Sequence, residues 1–162
     1  MSKVDMNFVK PFVDGTIYTM KVQCGFDASH GRPFLKSDIN PMTVDIAGIV
    51  GVVSEKFKGT ISICFPEKTF LAIMKKMLDE EYSSITKEVE DGAGELMNII
   101  FGFAKKKLNE QGHNFQKSLP SVITGANIKV SHVSSGPIII LPFESELGPF
   151  QLAIGIETET AA

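Results

Sequence analysis

A carboxylate and a carboxamide three residues apart, Glu95 and Asn98, are residues whose types and spacing could do chemistry. Both fall in the longest helical pattern of the chain, about Thr86 to Asn109. At about 100° per residue, Asp91, Glu95, Asn98, Gly102, Lys105, Lys106 and Asn109 share one sector of about 120°. Most of the remaining positions are apolar or small: Ala93, Leu96, Met97, Ile99, Ile100, Phe101, Phe103 and Ala104. Such a helix is buried over most of its circumference and shows water one narrow stripe. Ordinary stripes carry Glu and Lys at i,i+4. This one has Asn98 and Gly102 at its middle, and Gly102 costs roughly 1 kcal/mol against alanine. A glycine one turn from a short amide leaves a shallow dip where another surface could approach. The amide can donate and accept hydrogen bonds, and a rigid helix presents a side chain accurately. A Glu and an Asn at this spacing also occur by chance on a solvated face, so the wheel by itself leaves both readings open.

The elements that would position this stripe can be read coarsely. Phe8, Phe12, Val13, Ile17 and Met20 predict an amphipathic helix over Met6–Val22, with Pro11 in its first turn, where a missing N–H costs nothing. Val22, Cys24 and Phe26 then alternate with Gln23, Gly25 and Asp27, which predicts a strand. Ser29–Pro41 reads as a loop or an irregular edge. Val44–Val53 and Thr60–Phe65 predict a hairpin, with Lys58-Gly59 in its turn. Within it, Gly48 and Gly51 mark a bulge or a close approach by another backbone, and this strand or its edge neighbour could pair across a dimer. Pro66 stops the second strand, and Phe70, Leu71, Met74 and Leu78 follow a helical period. After the main helix come extended pieces at Val122–Gly125, Asn127–Val133, Ile138–Phe143 and Phe150–Glu157. This order predicts an α+β fold with helices packed on a mainly antiparallel sheet. No low-complexity linker interrupts it, so residues 1–162 read as one domain.

Composition excludes several classes. The 162 residues suit one core that buries roughly 70% of the unfolded surface. A net charge of −3 gives no support to nucleic-acid binding. No apolar run approaches the ~18 residues of a membrane span. The N-terminal MSKVDMNFVK lacks an apolar signal core, so a cytoplasmic protein is expected. Cys24 and Cys64, forty residues apart, predict neither a disulfide framework nor a zinc site, and read as small buried hydrophobes. His30, His113 and His132 are scattered and read as surface or structural residues. Gly92 and Gly94 lack the Lys-Ser/Thr of a phosphate loop, and are expected to let the helix start pack closely on a neighbour. The acidic group Asp79, Glu80, Glu81, Glu88, Glu90 and Asp91 complements the helix dipole. Part of it could also steer a basic partner.

The run Asp91-Gly-Ala-Gly-Glu95-Leu-Met-Asn98 resembles the D/S-x-x-x-E-x-x-N signature of the CheC/CheX/FliY family of chemotaxis phosphatases. The N-terminal helix with Pro11-Phe12 and the segments GRPFLK, DIAGIVGVV, KGTISICFPE and SLPSVITG resemble the single-motif CheX branch, so the likeness covers nearly the whole chain. It implies a CheC-like two-layer domain and a homodimeric enzyme that dephosphorylates a CheY-type response regulator of two-component signalling. Under this resemblance Glu95 pairs with a regulator lysine and Asn98 orients the attacking water beside the phosphoaspartate. Asp91, at the first motif position, is expected to touch the partner, and Gly102 to leave room for it. No cluster of carboxylates or histidines has metal-ligand spacing, so no metal or other cofactor is expected in this chain, and Mg2+ is expected in the regulator. Two-site relatives carry a related motif in the first helix. Here the matching positions are Asp14 and Ile17, which implies one site per chain and two per dimer. A non-catalytic module that docks a response regulator or a flagellar switch protein is the alternative, and a purely structural dimer is a third possibility.

Overall fold

The first helix, α1 (Met6–Cys24), runs through the residues whose alternation suggested a strand. Gly25 ends it at φ +73°, a backbone state open to glycine. Its N–H bonds to the Lys21 carbonyl at 3.2 Å, as in an αL cap. Cys24 and Phe26 point into the core from this cap rather than from a strand. Pro11 lies in the second turn, not the first. There it removes the N–H that would have bonded to the Asn7 carbonyl. Gln111 Nε2 donates to that carbonyl at 3.4 Å instead, tying the start of α1 to the end of the main helix.

The computed structural model describes residues 6–36, 42–128 and 137–158. After α1 come β1 (Ala28–His30) and β2 (Phe34–Leu35), two short strands at the sheet edge, where Ser29–Pro41 reads as a loop or an irregular edge. The expected hairpin is β3 (Ile46–Val53) and β4 (Phe57–Phe65), paired from Ile46↔Phe65 to Val53↔Lys58. Its turn lies at residues 54–56, where Ser54 bonds to the Phe57 backbone, so Lys58 and Gly59 belong to the strand. Two helices follow, α2 (Glu67–Leu78) and α3 (Lys87–Glu110), then β5 (Gln116–Lys117), β6 (Ser121–Thr124), β7 (Ile138–Ser145) and β8 (Phe150–Thr158). The expected extended piece at Asn127–Val133 has no strand at residues 127–128, and its remainder lies outside the described residues.

Among the described residues, three helices pack on an eight-stranded antiparallel sheet. The order is β1-β7-β8-β4-β3-β5, with β2 beside β1 on β7 and β6 beside β5 on β3. This order contains an internal repeat. Exchanging α1, β1, β2, β3 and β4 with α3, β5, β6, β7 and β8 returns the same sheet read backwards. The registers agree: β1 and β5 both pair with the C-terminal ends of their neighbours, β2 and β6 with the N-terminal ends. The two hairpins meet where β4 pairs with β8, Ile61 opposite Ile154.

Helix and sheet close over a core that includes Phe12, Met20, Phe65, Phe70, Leu96, Ile100, Phe101 and Leu152. Side chains of a strand alternate between faces, so Ala47, next to Gly48, faces away from the helices. There Ala47, Val44 and Cys64 form a second small cluster with Met42, Ile49 and Ile128. Asp45 ties this end together. Its carboxylate accepts from Glu67 N–H at 2.8 Å, the first turn of α2, and from Asn127 N–H at 2.9 Å.

Candidate active site

The seating of α3 on the sheet depends on residues without side chains. At Gly48 a Cβ would come within 2.6 Å of the Ala93 carbonyl carbon and 3.0 Å of Gly94 N, so the backbones of α3 and β3 are in contact. This is the close approach that a glycine inside a strand suggested. Gly94 leaves room for Pro120 and Val122, and Gly92 for Met74 and Phe70, so both let the start of the helix pack closely. On its other flank α3 runs antiparallel to α1. Gly15 faces Ile100 and Phe103, while Phe12 meets Phe101 at 6.4 Å between ring centroids.

Seated in this way, α3 buries Val89, Ala93, Leu96, Met97, Ile100, Phe101, Ala104 and Leu108. The opposite face carries the stripe expected from the wheel. Asp91, Glu95, Gly102, Lys106 and Asn109 are exposed; Asn98 and Lys105 are half-buried. The side chains of Glu95 and Asp91 make no hydrogen bond or ion pair with any described residue. Gly102 faces open space, with no atom within 4 Å of where a Cβ would stand.

Asn98 differs from its neighbours. Its Oδ1 is shut off from solvent and has no hydrogen-bond partner. An unpaired buried acceptor of this kind costs about 1–3 kcal/mol. The carboxamide is therefore held with unused hydrogen-bonding capacity, beside an unpaired carboxylate and a dip in the surface. Thr19 Oγ1, in the core on α1, is the other unpaired buried side-chain oxygen among the described residues.

The corresponding positions of α1 offer no second site of this kind. Asp14 is held by Lys10 at 2.6 Å, and Ile17 is packed against the core. Among the described residues no three His, Cys, Asp or Glu side chains gather into a group that could hold a metal ion. His30 bonds to its neighbouring Gly31 carbonyl, His113 packs among Phe8, Phe57 and Phe115, and His132 lies outside the described residues. Both thiols are buried, and burial pushes each up to about 11. In the acidic group, Glu81 pairs with Lys75 and Glu80 accepts from the Tyr82 hydroxyl. No helix among the described residues is long and apolar enough to cross a membrane.

Residues 46–144, from β3 through the stripe to β7, match the model of the family described as Chemotaxis phosphatase CheX. The chain belongs to this CheX family. A curated relative, the CheY-P phosphatase CheX of Thermotoga maritima, is 25% identical over 142 residues, 86% of this chain and 88% of that protein. The CheC-like superfamily protein of Shewanella sp. PV-4 superposes with a TM-score of 0.88 at 38% identity, covering 95% of this chain and 99% of that one. CheX of Borrelia burgdorferi, solved in complex with CheY, BeF3 and Mg2+, superposes at 0.78 with 27% identity, over 96% and 99% of the two chains. The eight-stranded sheet with helices on one face is thus the CheC-like fold of the CheX family.

Two residues escaped the sequence reading. Asp45 is one: its two acceptor roles join segments 22 and 82 residues away. Tyr18 is the other. It is exposed and stacks on Phe103, with ring centroids 5.3 Å apart. The spacing of Phe12, Val13, Ile17 and Met20 already left it off the buried face of α1.

Proposed function

We propose that this protein is a cytoplasmic phosphatase that hydrolyses the phosphoaspartate of a CheY-type response regulator. Membership of the CheX family supports this reading, as does the relative named a CheY-P phosphatase. The observation that carries it to particular residues is the unpaired Asn98 oxygen beside the unpaired Glu95 carboxylate.

An acyl phosphate is already reactive, so the enzyme has little covalent chemistry to perform. Water attacks phosphorus, the P–O bond to the aspartyl carbonyl group breaks, and inorganic phosphate and a free carboxylate result. Holding that water in line can supply much of the rate gain. An amide is no general base, but its oxygen accepts a hydrogen bond from water and its nitrogen donates to an anion. Asn98 turns about its terminal torsion to present both, which relieves the unpaired oxygen. Glu95 fixes the register of the complex by a charge-assisted hydrogen bond to a regulator lysine. Asp91, one turn earlier, borders the same partner, and Gly102 lets the partner's backbone come close. The Mg2+ that such chemistry uses resides in the regulator.

The active unit is a homodimer of one-domain chains, with one site each. β3 is paired on both sides, by β4 and by β5 and β6. Its outer neighbour β6 carries exposed Ser121, Ile123 and Thr124, and is the strand edge at which a second copy pairs. The reading is tested by following phosphate loss from a phosphorylated regulator with and without the protein. Acceleration beyond the regulator's own decay supports an enzyme; binding without acceleration supports a docking module instead.

A further inference from the structure

Beside the polar stripe of α3 runs an apolar row that the interior does not use. Tyr18 and Val22 leave α1 one turn apart and are 54% and 55% exposed. The Tyr18 ring stacks on Phe103 at 5.3 Å and 30°. α1 and α3 run antiparallel, since Asn7 meets Gln111 while Gly15 meets Ile100 and Phe103. Val22 therefore extends the row toward the half of α3 that holds Glu95 and Asn98. Half-buried Ile99 and Phe103 lie between the row and the stripe, and Gly102, beside Phe103, is open to solvent. Large apolar side chains in water forgo the gain of burial. A stacked tyrosine offers wide contact area at low entropy cost, which is why such residues anchor interfaces.

We propose that Tyr18, Val22 and Phe103 form the apolar half of the surface that docks the phosphorylated regulator. This inference rests on the phosphatase reading of α3. Affinity and partner choice then come largely from α1, and the chemistry from α3. The occupant is the regulator's receiver domain, because the row is continuous with the stripe and a body seated on Glu95 and Asn98 covers both. A second copy pairing at β6 approaches the opposite flank of α3, where Gly94 meets Pro120 and Val122. The partner should carry an apolar patch bordering its phosphoaspartate pocket.

The test titrates a regulator loaded with beryllofluoride and Mg2+ into the parental protein and into Tyr18→Ala, Val22→Ser and Tyr18→Phe. Steady-state dephosphorylation and melting curves are measured in parallel. Loss of an interface anchor weakens binding by about tenfold. Tyr18→Ala should raise Kd and KM by that factor with kcat unchanged and melting lowered by only a few degrees for the lost stack on Phe103, Val22→Ser should raise both to a smaller extent, and Tyr18→Phe, which keeps the stack, should stay near parental. Parental Kd and KM in both Tyr18→Ala and Val22→Ser, with normal turnover, would overturn this inference alone. A parental chain that neither binds nor dephosphorylates the regulator would overturn it together with the reading of the site.

Discussion

Gly48 lies directly beneath the carbonyl of Ala93, so close that a side-chain carbon there would overlap the backbone of α3. This contact sets the height of the motif helix above the sheet five residues before Asn98. The neighbour is backbone and cannot swing aside, so Gly48→Ala must lift or tilt the helix. Overpacking of this kind costs about 1–3 kcal/mol. Thermal unfolding of Gly48→Ala should show a lowered midpoint, together with a reduced phosphatase rate. An unchanged midpoint would mean that α3 is not seated on β3 in this way.

Gly102 separates helix stability from docking. Nothing lies within 4 Å of its missing side chain, so the folded chain accepts a larger residue there. Gly102→Ala should stabilise the protein by up to about 1 kcal/mol through helix propensity. Gly102→Leu should keep that stability but fill the dip, and KM for the phosphorylated regulator should rise severalfold. If Gly102→Leu dephosphorylates with parental KM, the partner does not approach this part of the helix.

Asp45 accepts the Glu67 N–H at the start of α2, and so caps that helix from outside it, where Pro66 supplies no side-chain cap. It holds the Asn127 N–H with its other oxygen. Hydrogen bonds to charged groups are worth about 1.5–3 kcal/mol, and Asp45 is only half-buried, so Asp45→Ala should cost about 2 kcal/mol. For a chain of this size that is a fall of roughly 4–8 °C in melting temperature. Activity per folded molecule should be retained, since Asp45 lies off the stripe.

The cysteines give a pH dependence. Burial raises both thiols from 9.0 to about 11 in the folded state. Stability from these neutral thiols is fully present below pH 9 and is lost as pH rises toward 11, because the unfolded chain ionises first. At pH 8 the folded thiolate fraction is about one-hundredth of the unfolded one. A thiol reagent should therefore label the native protein far more slowly than the protein in denaturant. Comparable rates would place Cys24 or Cys64 at the surface.

Periodicity made the stripe of α3 legible, because a helix buried on most sides leaves few places for polar residues. The helical period also marks α2, while the hairpin is legible from its β-branched runs, though its turn lies at residues 54–56 and not at Lys58-Gly59. The C-terminal turn of α1 was misread because Val22, Cys24 and Phe26 alternate as a strand would, while Gly25, which caps the helix, also suits a strand's edge. β1, β2 and β5 are two or three residues long and exist through pairing with β7 or β3, which no local pattern records. Gly48 announced a close approach, but not that α3 was the visitor. The internal repeat emerges in the sheet order, where Asp14 and Ile17 alone could only hint at it. The unpaired oxygen of Asn98 depends on everything packed around it.

The central claim is that Asn98 orients the attacking water. It is tested most directly by adding Asn98→Ala to a phosphorylated CheY-type regulator and timing the loss of phosphate. Decay is expected at the regulator's own rate, at least about a hundredfold below the parental acceleration, with the beryllofluoride-loaded regulator still bound and a melting temperature at or above parental, since the unpaired oxygen is removed. Dephosphorylation by Asn98→Ala at the parental rate would contradict it.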